Sequence, residues 1–220
     1  MLFRSSRSGI DLIGESTGIL PSKEWKKKRF DKEWFIGETV SVAIGQGYNA
    51  YTPLQLASAV ATLANDGVMF KPHVVDFIEN IATKVRTPVE PQPLRKLDWN
   101  PEHIAVIKRA MVGVNKEGTS SAVFVGAPYT SGGKTGTAQV VAIKQGEKYI
   151  ESRVQERFRD HALFIAYAPA ENPKIAVALI VENAGFGATA AAPIARQVMD
   201  YYLLGKETPA GEAPKAEAAQ

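Results

Sequence analysis

The chain has 220 residues, of which 45% are apolar and 22% charged, and a net charge of +3 from 26 basic and 23 acidic side chains. That length lets a folded chain bury roughly 70% of its unfolded surface, and so weak and dispersed a positive charge gives no case for nucleic acid. Cysteine is absent, which excludes a disulfide framework, a thiol nucleophile and cysteine-ligated zinc. No 18-residue apolar run exists, so no segment is expected to cross a membrane. Met1 is not followed by a signal-peptide pattern, which reads as a cytosolic chain or one whose targeting segment lies elsewhere.

Residues 1–21 contain Gly9, Gly14, Gly18 and Pro21 and read as loop. Ser22 can cap a short helix to about Arg29, whose basic run Lys26-Lys27-Lys28-Arg29 reads as a solvated face, with a membrane-surface or polyanion contact as the alternative. A second short helix is expected from Gly37 to Ala43, ended by Gly45-Gln46-Gly47. Thr52-Pro53-Leu54-Gln55 then supplies an N-cap hydroxyl, proline at the first helical position and glutamine at the third, a capping box. Leu56, Val60, Leu63 and Ala64 continue at helical spacing, and Asn65-Asp66-Gly67 ends the helix. Met69–Ile78 is expected to be a strand and residues 82–93, with three prolines, an exposed connection.

Asn100-Pro101 starts another helix, with Ile104, Ile107, Met111 and Val114 on one face and Gly118 as its stop. Thr119 opens a short turn or helix to Phe124. Ser131–Val141 is expected to be the first of a run of strands. Residues 143–160 form a charged insertion. His161–Ala168 and Ile175–Val181 read as strands joined at Asn172-Pro173 into a hairpin. Thr189 can cap a last helix to Leu204, with Ile194, Val198, Tyr201 and Tyr202 along its apolar face and Pro193 in its first turn. Residues 205–220 lack an apolar pattern and are expected to be disordered. No internal repeat is present. Helices first, then antiparallel strands, then a helix packed back on the sheet is an α+β arrangement.

The stretch Ser131-Gly132-Gly133-Lys134-Thr135-Gly136-Thr137-Ala138-Gln139 carries the chemistry. Glycine weakens a strand and often marks close approach of a ligand or another backbone. Period 2 puts Lys134 and Gly136 on one face and Thr135 and Thr137 on the other. On an edge strand both sets can border a groove in which a peptide adds by main-chain hydrogen bonds. An ammonium and hydroxyls beside that groove suit a carboxylate, because charge-assisted hydrogen bonds are the strong ones. The bland alternative is a surface strand with an exposed lysine. A phosphate loop is the rival, but Ala127-Pro128 stand where its upstream glycine and the neighbour belong, and Val140 and Val141 favour strand. His73, His103 and His161 lie far apart without ligand spacing, so no metal is expected. His161 reads as a hydrogen-bonded strand-end residue. No cofactor is implied.

Lys-Thr-Gly on a strand is one of three motifs of the serine β-lactamases and penicillin-binding proteins. The other two, Ser-x-x-Lys with the nucleophile and Ser-x-Asn or Ser-Asp-Asn, are not found as separate motifs. The sole Ser-x-x-Lys is Ser131-Gly132-Gly133-Lys134, which overlaps the Lys-Thr-Gly. Further blocks extend the likeness: Gly9-Ile10-Asp11-Leu12, Gly14-Glu15 and Gly18-Ile19-Leu20-Pro21-Ser22; then Ser41 to Gly47; then Thr52 to Ala57; then Ala64-Asn65-Asp66-Gly67. Together with Ser131–Gln139 they resemble the class B penicillin-binding proteins, in particular the elongation-specific peptidoglycan D,D-transpeptidases, over about residues 9–204. Ile13 stands where that group usually has proline, and residues 1–8 do not match its lead-in.

The resemblance implies a partial penicillin-binding-protein or serine β-lactamase-like transpeptidase fold. Residues 1–204 would be the C-terminal portion of the domain and 205–220 a tail. Lys134 would support a second-motif serine and the substrate carboxylate. Thr135 and Thr137 would bind that carboxylate, in a stem peptide ending in D-Ala-D-Ala or in a β-lactam. The Thr137 N–H would serve an oxyanion hole, and Gly136 would let the strand lie close to the nucleophile helix. No residue here takes the roles of nucleophile or general base, so the chain alone is expected to be inactive, and its strands to leave apolar surface exposed. For the intact protein the resemblance implies glycosyltransferase and elongation-complex partners and the periplasmic face of the inner membrane. A D,D-carboxypeptidase or β-lactamase of the same fold, a folded or half-folded binding module, or a catalytically inactive truncation product are the alternatives.

Overall fold

The computed structural model describes residues 7–141, 150 and 154–205. Most of the charged insertion, including Lys144, Glu147, Lys148, Glu151 and Arg153, lies outside the described residues, as do residues 1–6 and the expected tail beyond Gly205. The chain divides into two compact units, residues 1–101 and 102–220.

The first unit opens with helix α1 (Lys23–Phe30), capped by Ser22, whose Oγ accepts the Trp25 N–H at 3.0 Å. Its basic run is not uniformly solvated. Lys26 is only 2% exposed, and its Nζ donates to both Glu38 carboxylate oxygens at 2.6 and 2.7 Å while lying 4.2 Å from the Phe35 ring centroid. Burying an ammonium is tolerable only with such a partner; Lys27, Lys28 and Arg29 remain exposed. Glu38 also accepts the Phe35 N–H at 2.8 Å, which starts helix α2 (Ile36–Ala43) and ties it to α1. Its carboxyl is held below the ordinary glutamate value of 4.5, chiefly by the Lys26 hydrogen bond and then by that N–H. Helix α3 (Pro53–Ala64) has the reciprocal cap: Thr52 Oγ1 accepts from Gln55 N at 3.1 Å, and Gln55 Oε1 accepts from Thr52 N at 3.0 Å. Val60 and Ala64 are buried on it, and Leu56 and Leu63 half-buried.

The expected strand Met69–Ile78 is two strands with different partners. β1 is Val68–Phe70 and β2 is Phe77–Glu79. Pro72 interrupts the run, and the Val74 and Val75 N–H groups donate to the Asp11 carboxylate at 2.8 and 3.3 Å rather than to a ladder. Residues 82–93 likewise are not only connection: β3 (Arg86–Pro88) pairs with β2, and β4 (Pro93–Lys96) pairs with β1, both antiparallel. Proline is compatible with strand ends and edges, and Pro88 and Pro93 occupy such ends.

The second unit contains helix α4 (Pro101–Lys116), helix α5 (Ser121–Phe124), strands β5 (Gly132–Ala138), β6 (His161–Ala168) and β7 (Ile175–Val181), and helix α6 (Gly187–Leu204). The sheet is antiparallel in the order β5-β6-β7, and β6 and β7 form the expected hairpin. β5 stops at Ala138, three residues short of the expected end. On α4, Ile104 and Met111 are buried as expected, but Ile107 is exposed and the third buried position is Asn115.

The apolar face assigned to α6 is corrected. Ile194, Val198, Tyr201 and Tyr202 are exposed, the tyrosines by 63% and 62%. Ala191, Ala192, Ala195 and Met199 are fully buried instead, against Ala162, Phe164, Ala166 and Ala168 of β6. At its N-terminal end the helix approaches the sheet too closely for any side chain. A Cβ on Gly187 would lie 2.1 Å from the Leu163 carbonyl oxygen and 2.8 Å from that of Gly136. The helix also begins at Gly187 rather than at a Thr189 cap, so Pro193 falls inside it, beyond the first turn. Phe124 of α5 stacks on Phe164 with centroids 6.0 Å apart. Beside this core, Asp200 accepts from Tyr129 Oη at 2.6 Å and from Arg196 Nε at 2.8 Å, and burial with the Asp200 hydrogen bond pushes the Tyr129 phenol up.

Two outcomes check these assignments. Ala195→Leu overpacks the helix–sheet contact and should cost about 1–3 kcal/mol, whereas Tyr201→Ala should stay within about 0.5 kcal/mol, both read from denaturant midpoints; the reverse order would restore the tyrosine face as the core face. Because the Glu38 carboxyl is depressed in the folded state, its contribution is present above the unfolded-state value and is lost as pH falls through the folded one. The stability gap between the parent and Glu38→Gln should therefore be widest near neutrality and close in acid. A pH-independent gap would contradict the Lys26–Glu38 pairing.

Candidate functional site

Among the described residues, β5 is the only strand of the second unit's sheet that carries polar chemistry along an edge. It pairs with β6 on one side and, among the described residues, with no strand on the other. The register sets the faces. Thr135 and Thr137 oppose Phe164 and Ala162, so they share the face on which α6 packs; Lys134 and Gly136 oppose Ile165 and Leu163 on the other. The sequence parity holds. Lys134 is exposed, and its Nζ donates to the Thr135 carbonyl at 2.7 Å. Thr135, Gly136 and Thr137 are half-buried.

The glycines are there for space. A Cβ on Gly132 would lie 2.6 Å from the ring of Tyr167, a fully buried residue. One on Gly133 would lie 2.6 Å from Phe164 Cζ and 2.7 Å from Asn115 Oδ1. No substitution at either is accommodated without displacing a ring or an amide. A Cβ on Gly136 would lie 3.2 Å from Leu163 Cβ, and one on Gly187 would lie 3.1 Å from the Gly136 nitrogen.

Beneath the start of the strand lies a polar cluster. Asn115, 5% exposed, donates from Nδ2 to Ser131 Oγ at 2.9 Å and accepts from Ser120 Oγ at 2.7 Å. Using both ends of a buried amide satisfies what burial would otherwise penalise. Ser131 is therefore buried at a strand start and engaged by an amide, not exposed on a helix as a nucleophile would be. Thr119, immediately before Ser120, places its Oγ1 3.2 Å from Thr135 Oγ1. Sequence reasoning missed Asn115, Thr119 and Ser120. The signal for Asn115 was the spacing from Met111, which continues the buried face of α4 with a polar residue.

His161 Nδ1 accepts the Asn183 N–H at 2.9 Å, the strand-end role expected of it. Among the described residues no group of three or more His, Asp or Glu side chains could hold a metal ion, and no helix is long and apolar enough to cross a membrane. A shallow surface depression lined by Gln155, Glu156, Arg157 and Asn183 includes none of the β5 residues.

Residues 4–200 match the family described as the penicillin binding protein transpeptidase domain. The chain is 44% identical over 201 residues to the peptidoglycan D,D-transpeptidase MrdA of Haemophilus influenzae, covering 89% of this chain and 30% of that protein. Its identity to the MrdA of Escherichia coli K12 is 40% over 218 residues, 97% of this chain and 34% of the relative. The chain thus spans about a third of the length of the curated relatives it matches. A Pseudomonas aeruginosa PBP2 structure, in complex with WCK 5153, superposes with TM-score 0.72 at 39% identity, covering 96% of this chain and 42% of that one. A complex of PBP2 and MreC from Helicobacter pylori gives 0.70 at 29% identity, covering 91% of this chain and 34% of that one. With helices and antiparallel sheets that make an α+β fold, and its Lys-Thr-Gly motif on a strand, the chain belongs to the penicillin-binding protein transpeptidase domain family and is similar to PBP2 across most of its length.

Proposed function

We propose that residues 1–204 form the C-terminal portion of the transpeptidase domain of a serine D,D-transpeptidase that cross-links peptidoglycan, and that β5 is one wall of its active site. The observation that supports this most is the placement of Lys134, Thr135, Gly136 and Thr137 on an edge strand, in a chain of this family. A stem peptide ending in D-Ala-D-Ala, or a β-lactam, adds along the outer edge of β5. Its carboxylate takes hydrogen bonds from the Thr135 and Thr137 hydroxyls and the field of the Lys134 ammonium. On ligand binding Lys134 leaves the Thr135 carbonyl, an exposed contact worth little, for the stronger charge-assisted bond.

The reaction proceeds by serine attack on the carbonyl between the two D-alanines. An acyl-enzyme forms, the terminal D-alanine leaves, and an amine of a neighbouring stem peptide takes the acyl group. The Thr137 backbone N–H donates to the oxyanion of each tetrahedral intermediate, a contribution of roughly 3–4 kcal/mol in other acyl-transfer enzymes. The nucleophile, its lysine partner and the second-motif serine match no residue of this chain. The intact enzyme acts at the periplasmic face of the inner membrane, with a glycosyltransferase and elongation-complex partners of the kind the Helicobacter pylori complex with MreC exemplifies. A D,D-carboxypeptidase or β-lactamase is less favoured, since the similar curated proteins are named D,D-transpeptidases.

For the chain taken alone, the buried and engaged state of Ser131 favours ligand binding without acyl transfer. Incubated with a fluorescent penicillin, the 220-residue chain should show no covalent adduct by mass spectrometry. It should bind a peptide ending in D-Ala-D-Ala reversibly, roughly tenfold more weakly after Lys134→Ala. A saturating 1:1 adduct would contradict the assignment of the nucleophile to another segment, and unchanged binding in the variant would contradict the assignment of Lys134.

A further inference from the structure

Thr119 lies outside the Lys-Thr-Gly motif, fifteen residues before Lys134, yet its hydroxyl lies 3.2 Å from that of Thr135. Its position is not an accident of a loose loop. The Gly118 N–H closes onto the Gly113 carbonyl at 2.8 Å and the Ser120 N–H onto that of Val114 at 3.2 Å, which turns the chain sharply off the end of α4. A Cβ at Gly118 would lie 2.8 Å from Val114 Cα and 3.0 Å from its carbonyl oxygen, so that turn needs glycine. Ser120 is then pinned through Asn115 to Ser131, one residue before β5 begins. The two threonines are therefore fixed from both sides: Thr119 by the α4–α5 junction, Thr135 by its ladder with Phe164.

A threonine hydroxyl has one proton to give and two lone pairs to receive. Between Thr119 and Thr135 either oxygen can be the donor. A carboxylate only accepts, so when one is bound Thr135 must spend its single proton on it, and its oxygen can then accept from Thr119. We infer that Thr119 is a positioning residue for carboxylate recognition: it donates to Thr135 Oγ1, so that the Thr135 O–H is directed to the ligand anion, and this two-hydroxyl relay favours a free carboxylate over a neutral ester. Each donor in such a chain polarises the next and strengthens it. In the opposite polarity Thr135 presents lone pairs to the anion and repels it. The inference rests on the reading of β5 as a carboxylate-binding wall and adds to that reading a residue and a source of charge selectivity.

The test uses the full chain and two probes, an N-acetylated peptide ending in D-Ala-D-Ala and its C-terminal methyl ester. Their dissociation constants are measured by amide chemical-shift titration for the parent, Thr119→Val and Thr119→Ser. The parent should prefer the acid. Thr119→Val, which keeps the shape and removes the hydroxyl, should reduce that acid-to-ester preference about fivefold while leaving ester affinity and the thermal midpoint in place. Thr119→Ser should restore the preference. If Thr119→Val keeps the parent's preference, the relay is wrong. If it weakens acid and ester alike, or lowers the midpoint, Thr119 is a structural residue and the inference is overturned. If the parent itself shows no preference for the acid, the carboxylate reading of β5 fails, and the relay with it.

Discussion

The second unit depends on main chain approaching main chain and side chain more closely than any residue but glycine allows. At Gly133 the space a Cβ would need is taken by Phe164 and Asn115. At Gly187 it is taken by the carbonyls of Leu163 and Gly136. These contacts let α6 settle onto the sheet through Ala191, Ala192 and Ala195, let the Phe164 ring reach under β5, and leave the outer edge of β5 open among the described residues. Close packing of this kind leaves no slack, since interiors are as dense as organic crystals. A strand so held presents its polar residues in a fixed place.

Much of the architecture is legible in the sequence. The Thr52–Gln55 box, the hairpin of His161–Ala168 with Ile175–Val181, and the parity of Lys134 against Thr135 depend on local rules of capping and pleating, and these held. On α4 and α6 the departures share one cause: burial is decided by the partner surface. On α6, residue size pointed to Ile194, Val198, Tyr201 and Tyr202. The face that meets the sheet carries Ala191, Ala192, Ala195 and Met199 instead, after a close approach at Gly187 that no periodicity encodes. On α4 the same preference for apolar residues passed over Asn115, whose value comes from Ser120 and Ser131 brought to it by the fold. In the first unit Met69–Ile78 reads as one strand, but the Asp11 carboxylate draws off the Val74 and Val75 N–H groups and splits it.

The candidate site was half legible. The motif named Lys134, Thr135, Gly136 and Thr137, but nothing in the linear order pointed to Thr119, which meets Thr135 only through the turn at Gly118. The same short segment holds the buried amide: Asn115 reaches Ser131 just before β5, Thr119 reaches Thr135, and the Ser120 hydroxyl turns back onto Asn115. Lys26 shows the complementary case in the first unit, where a residue read as part of a solvated run proved to be the joint between two helices.

The central claim is that β5 holds a peptide carboxylate along its outer edge. A crystal structure of the 220-residue chain soaked with an N-acetylated peptide ending in D-Ala-D-Ala tests it most directly. The account predicts the peptide antiparallel to β5, with its carboxylate in hydrogen-bond reach of the Thr135 and Thr137 hydroxyls. A peptide seated elsewhere, with the edge of β5 unoccupied, would contradict it.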